Sequence, residues 1–459
     1  MTLDFENIYK NVYFIGIGGV SMSSLAEILI TRGVTVQGSD IKPSDITKHL
    51  ESMGAQVLYD HKYENVPNNT DLVVFTAAVK ADNPELISAK DKGIKTIERS
   101  DLLGSIMDLY SQSVAVSGTH GKTSTTSMLS EILLASDTDP TITVGGFLPT
   151  IGGNTQIGNS QFFLAEACEY HNSFFKFNPF VAIILNVEAE HLDFFKDLKD
   201  VETSFKSFAK NVPDEGYVVI GYDISGKEYI TEGLTSHVIT YGLDKNADCY
   251  AENIISSADE PNNFDIVFKG KKVGNISLHV PGKHNVLNAL SAFSASIALG
   301  IEPENIIKGL GNYTGVNRRF QRKGTFNGAF VIDDYAHHPT EVVATLSAAK
   351  DLNCGKIRCI FQPHTYTRLK TLLEDFGNAF VDADEIIVAD IYAAREKNNG
   401  LIHSKDLVDK LKSKGKNAQY IPSFDEIVSF VKSTSNPGDM LITMGAGDIY
   451  LVGDKLING

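Results

Sequence analysis

Between Val114 and Leu134 the chain reads VAVSGTHGKTSTTSMLSEILL. A glycine-bounded turn ending in Gly121-Lys122-Thr123 joins a short apolar run to a helical pattern. That order suits phosphate. Backbone N–H groups around Gly118, Gly121 and the helix start can surround a phosphate. Lys122 would neutralise the outer phosphates, and the Thr123 hydroxyl would ligate Mg²⁺. The loop is shorter than the general GxxxxGK[ST] pattern, because only Thr119 and His120 separate Gly118 from Gly121. Further on, Glu166 closes the apolar run FFLAE and His191 follows VAIILN. Both fall at the carboxyl edge of a parallel sheet, where the phosphate loop also falls. There they would complete a Mg²⁺ shell with Thr123. Each also has a plainer reading, a solvated strand-end acid and a surface or core histidine.

A second glycine turn, Gly16-Ile17-Gly18-Gly19-Val20-Ser21, follows the strand VYFI. A dinucleotide fingerprint requires glycine at the last of these positions. Ser21 stands there, so NAD is disfavoured. A diphosphate on the helix N-terminus still fits, with Asp40 at the next strand end for a ribose or base contact. The plain alternative is a tight strand-to-helix turn without a ligand.

These residues need strands that end beside helix starts, and the chain supplies them in three α/β units. In the first, Met22, Leu25, Ala26 and Leu29 mark one helix face, and Gly33 is placed to end that helix. The strands VTVQGSD, DLVVFTAAV and IKTIE complete a unit ending near Asp108. The second unit holds the phosphate loop, FFLAEA and VAIILN. Less regular, antiparallel segments are expected from Gly216 to about Val280, then a helix over GKHNVLNALSAFSASIALG. The third unit alternates the strands AFVIDDY, KIRCIF, EIIVAD and DMLITMG with helices, one of them starting at Pro339. The fold class is therefore α/β with three domains: a Rossmann-like N-terminal domain, a central mixed-sheet domain resembling a P-loop ATPase, and a Rossmann-like C-terminal domain. Their expected limits are 1–108, 109–316 and 317–459.

Composition narrows the function classes. The 459 residues carry a net charge of −16, with 42% hydrophobic and 21% charged residues. The chain is globular, and over most of its surface it repels nucleic acid. Cys168, Cys249, Cys354 and Cys359 form no CxxC pair, and reduced thiols in a cytoplasm fit them. The N-terminal stretch lacks the basic flank and apolar core of a signal peptide. No run approaches the ~20 apolar residues of a membrane span.

The motifs in sequence resemble the Mur ligases over nearly the whole chain. GIGGVSMSSLAE is similar to that family's UDP-binding turn, and GTHGKTSTT to its shortened phosphate loop. EACEY, LNVEAEHLD, PGKHNVLNALSA, GVNRRF, DDYAHHPTEV and FQPHTYTRL follow in family order. The last two resemble the L-alanine-adding branch. Ser21 departs from a frequent glycine, and EACEYHNSF from the more familiar EADESD form.

The resemblance implies a cytoplasmic bacterial ligase, a monomer or weak homodimer. It would join L-alanine to the lactyl carboxylate of UDP-N-acetylmuramate with ATP and Mg²⁺, through an acyl phosphate. This would be the first peptide-adding step of peptidoglycan precursor synthesis. By motif, Gly118, Thr119, His120, Gly121, Lys122, Thr123 and Ser124 would hold the triphosphate, with Thr123, Glu166 and His191 on Mg²⁺. His284, Asn285 and Asn288 would lie near adenine or the phosphates. Gly18, Gly19, Ser39, Asp40, Thr76, Ala77 and His120 would receive the UDP substrate. Arg319 would contact ATP phosphate or the sugar substrate. Asp334, His337, His338, His364 and Arg368 would line the interdomain cleft, Asp334 toward ATP and the others toward substrate. Lys122, His191, Asn285, Arg319 and Arg368 would act in catalysis. Asn288 as a helix packing residue and His338 as a helix cap remain the plain readings.

A hinge is expected near Gly311–Asn317. Lys206 lies where some relatives carry a carbamylated lysine. Helix periodicity around Phe205, Phe208 and Ala209 instead points it to solvent. Two rivals share parts of the pattern: a ligase that recycles preformed peptide, and a nonenzymatic nucleotide-dependent switch.

Overall fold

In the computed structural model, residues 3–5, 7–76, 79–191, 194–255, 262–394, 396–398 and 400–458 are described. The chain divides into two compact units. The first runs to Tyr250 and adds Phe268–Gly270 and Ala289–Gly309; the second takes Ala251–Val267, Lys271–Asn288 and Leu310–Gly459.

The first unit opens with a five-stranded sheet in the order Gln56–Leu58, Thr35–Ser39, Asn11–Ile15, Leu72–Phe75, Lys95–Glu98. All its pairings are parallel. The helix Val20–Thr31 buries Met22, Leu25, Ala26 and Leu29, the face expected from their spacing. Gly33 at φ +81° ends it, while Val34 N–H returns to the Leu29 carbonyl.

The same unit holds a second sheet, centred on Gln112–Ser117. That strand pairs in parallel with Val181–Ile184 on one side and Phe162–Glu166 on the other. Both faces are covered, so Val114, Ala115 and Val116 are all fully buried. At one edge, Thr141–Leu148 and Gly153–Gln156 form an antiparallel hairpin.

The antiparallel expectation from Gly216 onward is corrected at its start. Tyr217–Gly221 pairs in parallel with Val181–Ile184, and His237–Gly242 in parallel with Tyr217–Gly221. The short helix Lys227–Thr231 lies in the connection between the last two strands, as a parallel crossover requires.

The third sheet belongs to the second unit. Its order is Gln321–Phe326, Ala329–Asp334, Met440–Met444, Ile357–Phe361, Glu385–Val388, Ala418–Tyr420. Only the first pair is antiparallel. Asn327 and Gly328, at φ +49° and +80°, make its two-residue turn. Alternate residues feed cores on opposite faces: Ile357, Cys359 and Phe361 enter one, Ile360 the other. The helix expected at Pro339 runs Pro339–Asp351.

All four cysteines are free thiols. Among the described residues no helix is long and apolar enough to cross a membrane.

Candidate functional site

The candidate phosphate loop lies where strand Gln112–Ser117 hands over to helix Lys122–Ala135. Gly118 takes φ +137°, and a Cβ there would come within 2.8 Å of the Leu185 Cβ. Gly121 caps the helix at φ +83°. Only glycine adopts both conformations without strain. The helix has no side-chain cap and no acid in its first turn, which leaves its N-terminal N–H groups and positive dipole end for an anion. Helix Val20–Thr31 shares these two features, whereas Asp45–Ser52 and Leu198–Ala209 carry capping side chains and first-turn acids.

Asn186, which sequence reasoning missed, braces the loop. Its Oδ1 accepts from His120 N–H at 2.7 Å, and its amide donates to the His120 carbonyl at 3.1 Å. Thr119 Oγ1 accepts from Glu188 N–H at 3.1 Å, and His120 Nε2 lies 3.5 Å from the Glu188 carboxylate. Ser124 is buried in the helix and Thr123 half-buried at its start.

Lys122 Nζ donates to the carbonyls of Gly118 and Thr119 and pairs with Glu169 at 3.1 Å. Burial alone would depress this ammonium, but Glu169, with Cys168 close by, holds it above the ordinary lysine range. Burial would likewise raise the Glu169 carboxyl, but Lys122 and His191 outweigh it and hold the group below the usual range. Breaking such a buried pair costs about 3–5 kcal/mol.

Among the described residues a second set of candidate metal ligands stands beside the expected Thr123, Glu166 and His191. Glu169, Glu190 and His191 bring ligand atoms within 4.8 Å of one another. Glu166 lies outside that group, and its carboxylate accepts from Gly145 N–H at 2.6 Å. His191 Nε2 is 3.6 Å from Glu169, and its ring stacks on Tyr170 at 4.5 Å. His191 sits at φ +55°, a conformation that costs about 1–3 kcal/mol and concentrates at functional sites. Carboxylate and imidazole donors beside a phosphate loop fit a divalent cation. The signal for Glu169 was a second carboxylate three positions after Glu166; a reversal at His171 and Asn172, both at positive φ, follows it.

In the N-terminal turn, Asp40 accepts from Gly18 N–H at 2.8 Å, and a Cβ on Gly18 would clash with that carboxylate. Gly19 is the helix N-cap. Ser39 Oγ donates to the fully buried Glu85 at 2.7 Å, and Glu85 also accepts from Tyr13 at 2.8 Å. Thr76 follows strand Leu72–Phe75; Ala77 lies outside the described residues.

The second unit gathers the remaining candidates. Of the two arginines in NRRF, Arg318 is structural: it ties to the Gly445 and Gly447 carbonyls at 2.7 and 2.9 Å and to Asp333 at 3.3 Å. Arg319 lies 4.0 Å from Glu341 and over the Tyr335 ring. Burial, with Arg319 nearby, takes His284 down to about 4. Asn285 donates to the Pro281 carbonyl at 2.7 Å, and the buried Asn288 to Asn285 at 3.3 Å. Burial pushes Asp334 up to about 6, partly offset by Arg319; its carboxylate accepts from Ala336 and Phe320 N–H. His338 is the N-cap of the helix that begins at Pro339, the plain reading of that residue. Glu341 accepts from the N–H groups of His337 and His338.

His337 and His364 meet edge to face at 5.7 Å. Arg368 Nη1 lies 3.0 Å from His364 Nδ1. A guanidinium can only donate, so His364 is neutral and its proton is on Nε2. Burial, reinforced by His337 and Arg368, lowers its pKa to about 4, in agreement.

Lys206 departs from expectation. Its side chain is 14% exposed, pairs with Glu232 at 2.8 Å and lies over the Tyr229 ring. Helix Lys227–Thr231 covers the side that periodicity assigned to solvent.

Family models match in consecutive order: "Mur ligase family, catalytic domain" over residues 11–111, "Mur ligase middle domain" over 116–296 and "Mur ligase, glutamate ligase domain" over 318–447. The chain is 52% identical to a UDP-N-acetylmuramate–L-alanine ligase of Acetivibrio thermocellus, covering 98% of this chain and 96% of that one. It is 50% identical to one of Clostridium beijerinckii over 98% and 97%. Among solved structures, a UDP-N-acetylmuramate–alanine ligase of Thermotoga maritima superposes with a TM-score of 0.81 at 29% identity, covering 98% of each chain. A murein peptide ligase of Psychrobacter arcticus shares the fold at a TM-score of 0.70 and 24% identity, again over 98% of each chain.

Proposed function

The chain belongs to the Mur ligase family, and from that premise we propose that it joins L-alanine to the lactyl carboxylate of UDP-N-acetylmuramate, converting ATP to ADP and phosphate. The observation that carries this reading is 52% identity across 98% of the chain to a ligase bearing that activity in its name. We assign the UDP substrate to residues 1–108, ATP to 109–316, and the amino acid with further ATP contacts to 317–459. The enzyme would work in the bacterial cytoplasm as a monomer or weak homodimer.

The chemistry follows from a poor electrophile. A carboxylate does not condense with an amine in water. Attack of a lactyl carboxylate oxygen on the γ-phosphorus of ATP makes an acyl phosphate and expels ADP. The amine then attacks the acyl carbon and phosphate leaves. The first step brings anions together, and Lys122 and Arg319 reduce that repulsion. A Mg²⁺ ion, when bound, would neutralise phosphate charge. His191 would hold it, with either Thr123 and Glu166 or Glu169 and Glu190.

In the second unit, Arg368 and His364 Nε2–H are donors suited to the amino acid's carboxylate. His337 Nδ1 points at the Tyr335 carbonyl at 3.0 Å, and burial lowers the ring's pKa. Its Nε2 lone pair is therefore available to take a proton from the incoming ammonium. His284, Asn285, Asn288 and Asp334 are assigned to the nucleotide, as are Gly118 to Ser124. Gly18, Gly19, Ser39, Asp40 and Thr76 are assigned to the UDP group.

ADP release by the purified chain tests the reading. It is expected only when UDP-N-acetylmuramate and L-alanine are both present. Turnover with a preformed tripeptide but not with L-alanine would favour peptide recycling. ATP hydrolysis indifferent to both substrates would favour a nucleotide switch.

A further inference from the structure

Arg368 and His364 are carried by a segment that cannot hold its own shape. Helix Tyr366–Thr371 has six residues, too few for independent stability. Its N-cap, Thr365, is a β-branched residue at φ +66°, a conformation such side chains avoid. Among the described residues the Thr365 hydroxyl accepts from Arg368 N–H, at 3.4 Å. The other N–H groups of the first turn need acceptors from outside.

Glu396 supplies them. It stands in the loop beyond strand Glu385–Val388, half-buried. Its Oε2 accepts from Tyr366 N–H at 2.7 Å and Thr367 N–H at 3.1 Å, and its Oε1 accepts from the Thr367 hydroxyl. A turn from Glu396 N–H to the Ala393 carbonyl at 2.9 Å sets its direction. The same loop clamps the preceding residues. Thr365 N–H donates to the Tyr392 carbonyl at 2.9 Å, Tyr392 N–H to the Pro363 carbonyl at 2.8 Å, and the Tyr392 ring stacks on His364 at 5.8 Å. One carboxylate thus satisfies the first two N–H groups of the helix whose third residue is Arg368.

We propose that Glu396 is a positioning residue for the incoming amino acid, fixing the short helix that presents Arg368 and, through Thr365, His364. This rests on the reading that those two side chains receive the amino acid. The role is one of hydrogen-bond acceptance. A glutamine carbonyl can accept both N–H groups, and its NH₂ can donate to the Thr367 oxygen.

The test is steady-state kinetics of the full chain with each substrate varied in turn. E396A is expected to raise KM for L-alanine about 10–100-fold, as losing an orienting partner of a binding group does. Its KM for ATP and for UDP-N-acetylmuramate should stay within about twofold, a split that general destabilisation does not produce. E396Q should restore the L-alanine KM. An unchanged L-alanine KM in E396A, or all three KM values moving together, overturns the proposal, as does failure of E396Q to rescue. If E396A does not fold, E396D, whose carboxylate is one carbon short of the helix, is judged by the same L-alanine criterion. R368A separates the underlying reading. If its KM for L-alanine is unchanged, the amino acid does not bind there, and reading and proposal fall together. If R368A raises that KM and the Glu396 variants do not, only the proposal falls.

Discussion

Lys122→Ala is expected to lower kcat by at least about 10²–10³-fold, the loss typical of removing one preorganised charge stabiliser. Lys122 is the cation built into the loop, and its Nζ already lies among the Gly118 and Thr119 carbonyls and the Glu169 carboxylate. A γ-phosphate entering the loop would meet that charge, and charge would build on it as the carboxylate attacks. The variant also leaves Glu169 buried without its lysine, so a lower Tm is expected alongside the lost rate. Lys122→Met keeps the aliphatic stem, and together with a melting curve it separates the two effects. Arginine is no substitute, because its planar fork does not reproduce a compact ammonium between two carbonyls. Near-parental kcat in a folded Lys122→Met variant would remove the loop from the mechanism.

The second large effect concerns the metal. His191→Ala is expected to raise the Mg²⁺ concentration for half-maximal rate by about 10–100-fold or more, because His191 belongs to both possible ligand sets. Glu166→Gln and Glu169→Gln then distinguish the sets. Glu166 accepts from Gly145 N–H through Oε1, which leaves Oε2 to serve as the ligand. Glu169 lies with Glu190 and His191, and it neutralises Lys122 as well. If Glu169 ligates the ion, Glu169→Gln shifts the Mg²⁺ curve and Glu166→Gln leaves it in place. If Glu166 ligates it, the order reverses. An unchanged Mg²⁺ curve in His191→Ala would discard both sets.

How far these side chains could be read in advance depended on what places them. Val114–Val116 and Val181–Ile184 are continuous apolar runs because both sheet faces are covered, so they were legible as parallel core strands. The strand–turn–helix junction at Gly118–Lys122 was legible because its two glycines stand between an apolar run and a helical pattern. Gln321–Phe326 was not: it is a polar edge strand, QRKGTF, held by a two-residue turn. Glu169 was passed over because the reversal at His171 and Asn172 shapes the segment that follows it, and no periodicity announces that turn. Arg318 and Arg319 are neighbours in sequence, and it takes the Gly445 and Gly447 carbonyls with Asp333, all distant in sequence, to mark the first as structural. Lys206 was misplaced because a helix surface says nothing of what packs over it, here Tyr229 from a later element. Glu396 acts across thirty residues of chain on Tyr366, a distance at which spacing carries no signal.

The central claim is that the carboxylate is activated as an acyl phosphate before the amine attacks. Its most direct test is isotopic. UDP-N-acetylmuramate labelled with ¹⁸O in the lactyl carboxylate is turned over with ATP and L-alanine, and the released phosphate is analysed by mass. The oxygen that attacks phosphorus is the oxygen that leaves with phosphate, so one ¹⁸O should appear in each phosphate formed from fully labelled substrate. Unlabelled phosphate accompanying labelled amide product would contradict the account.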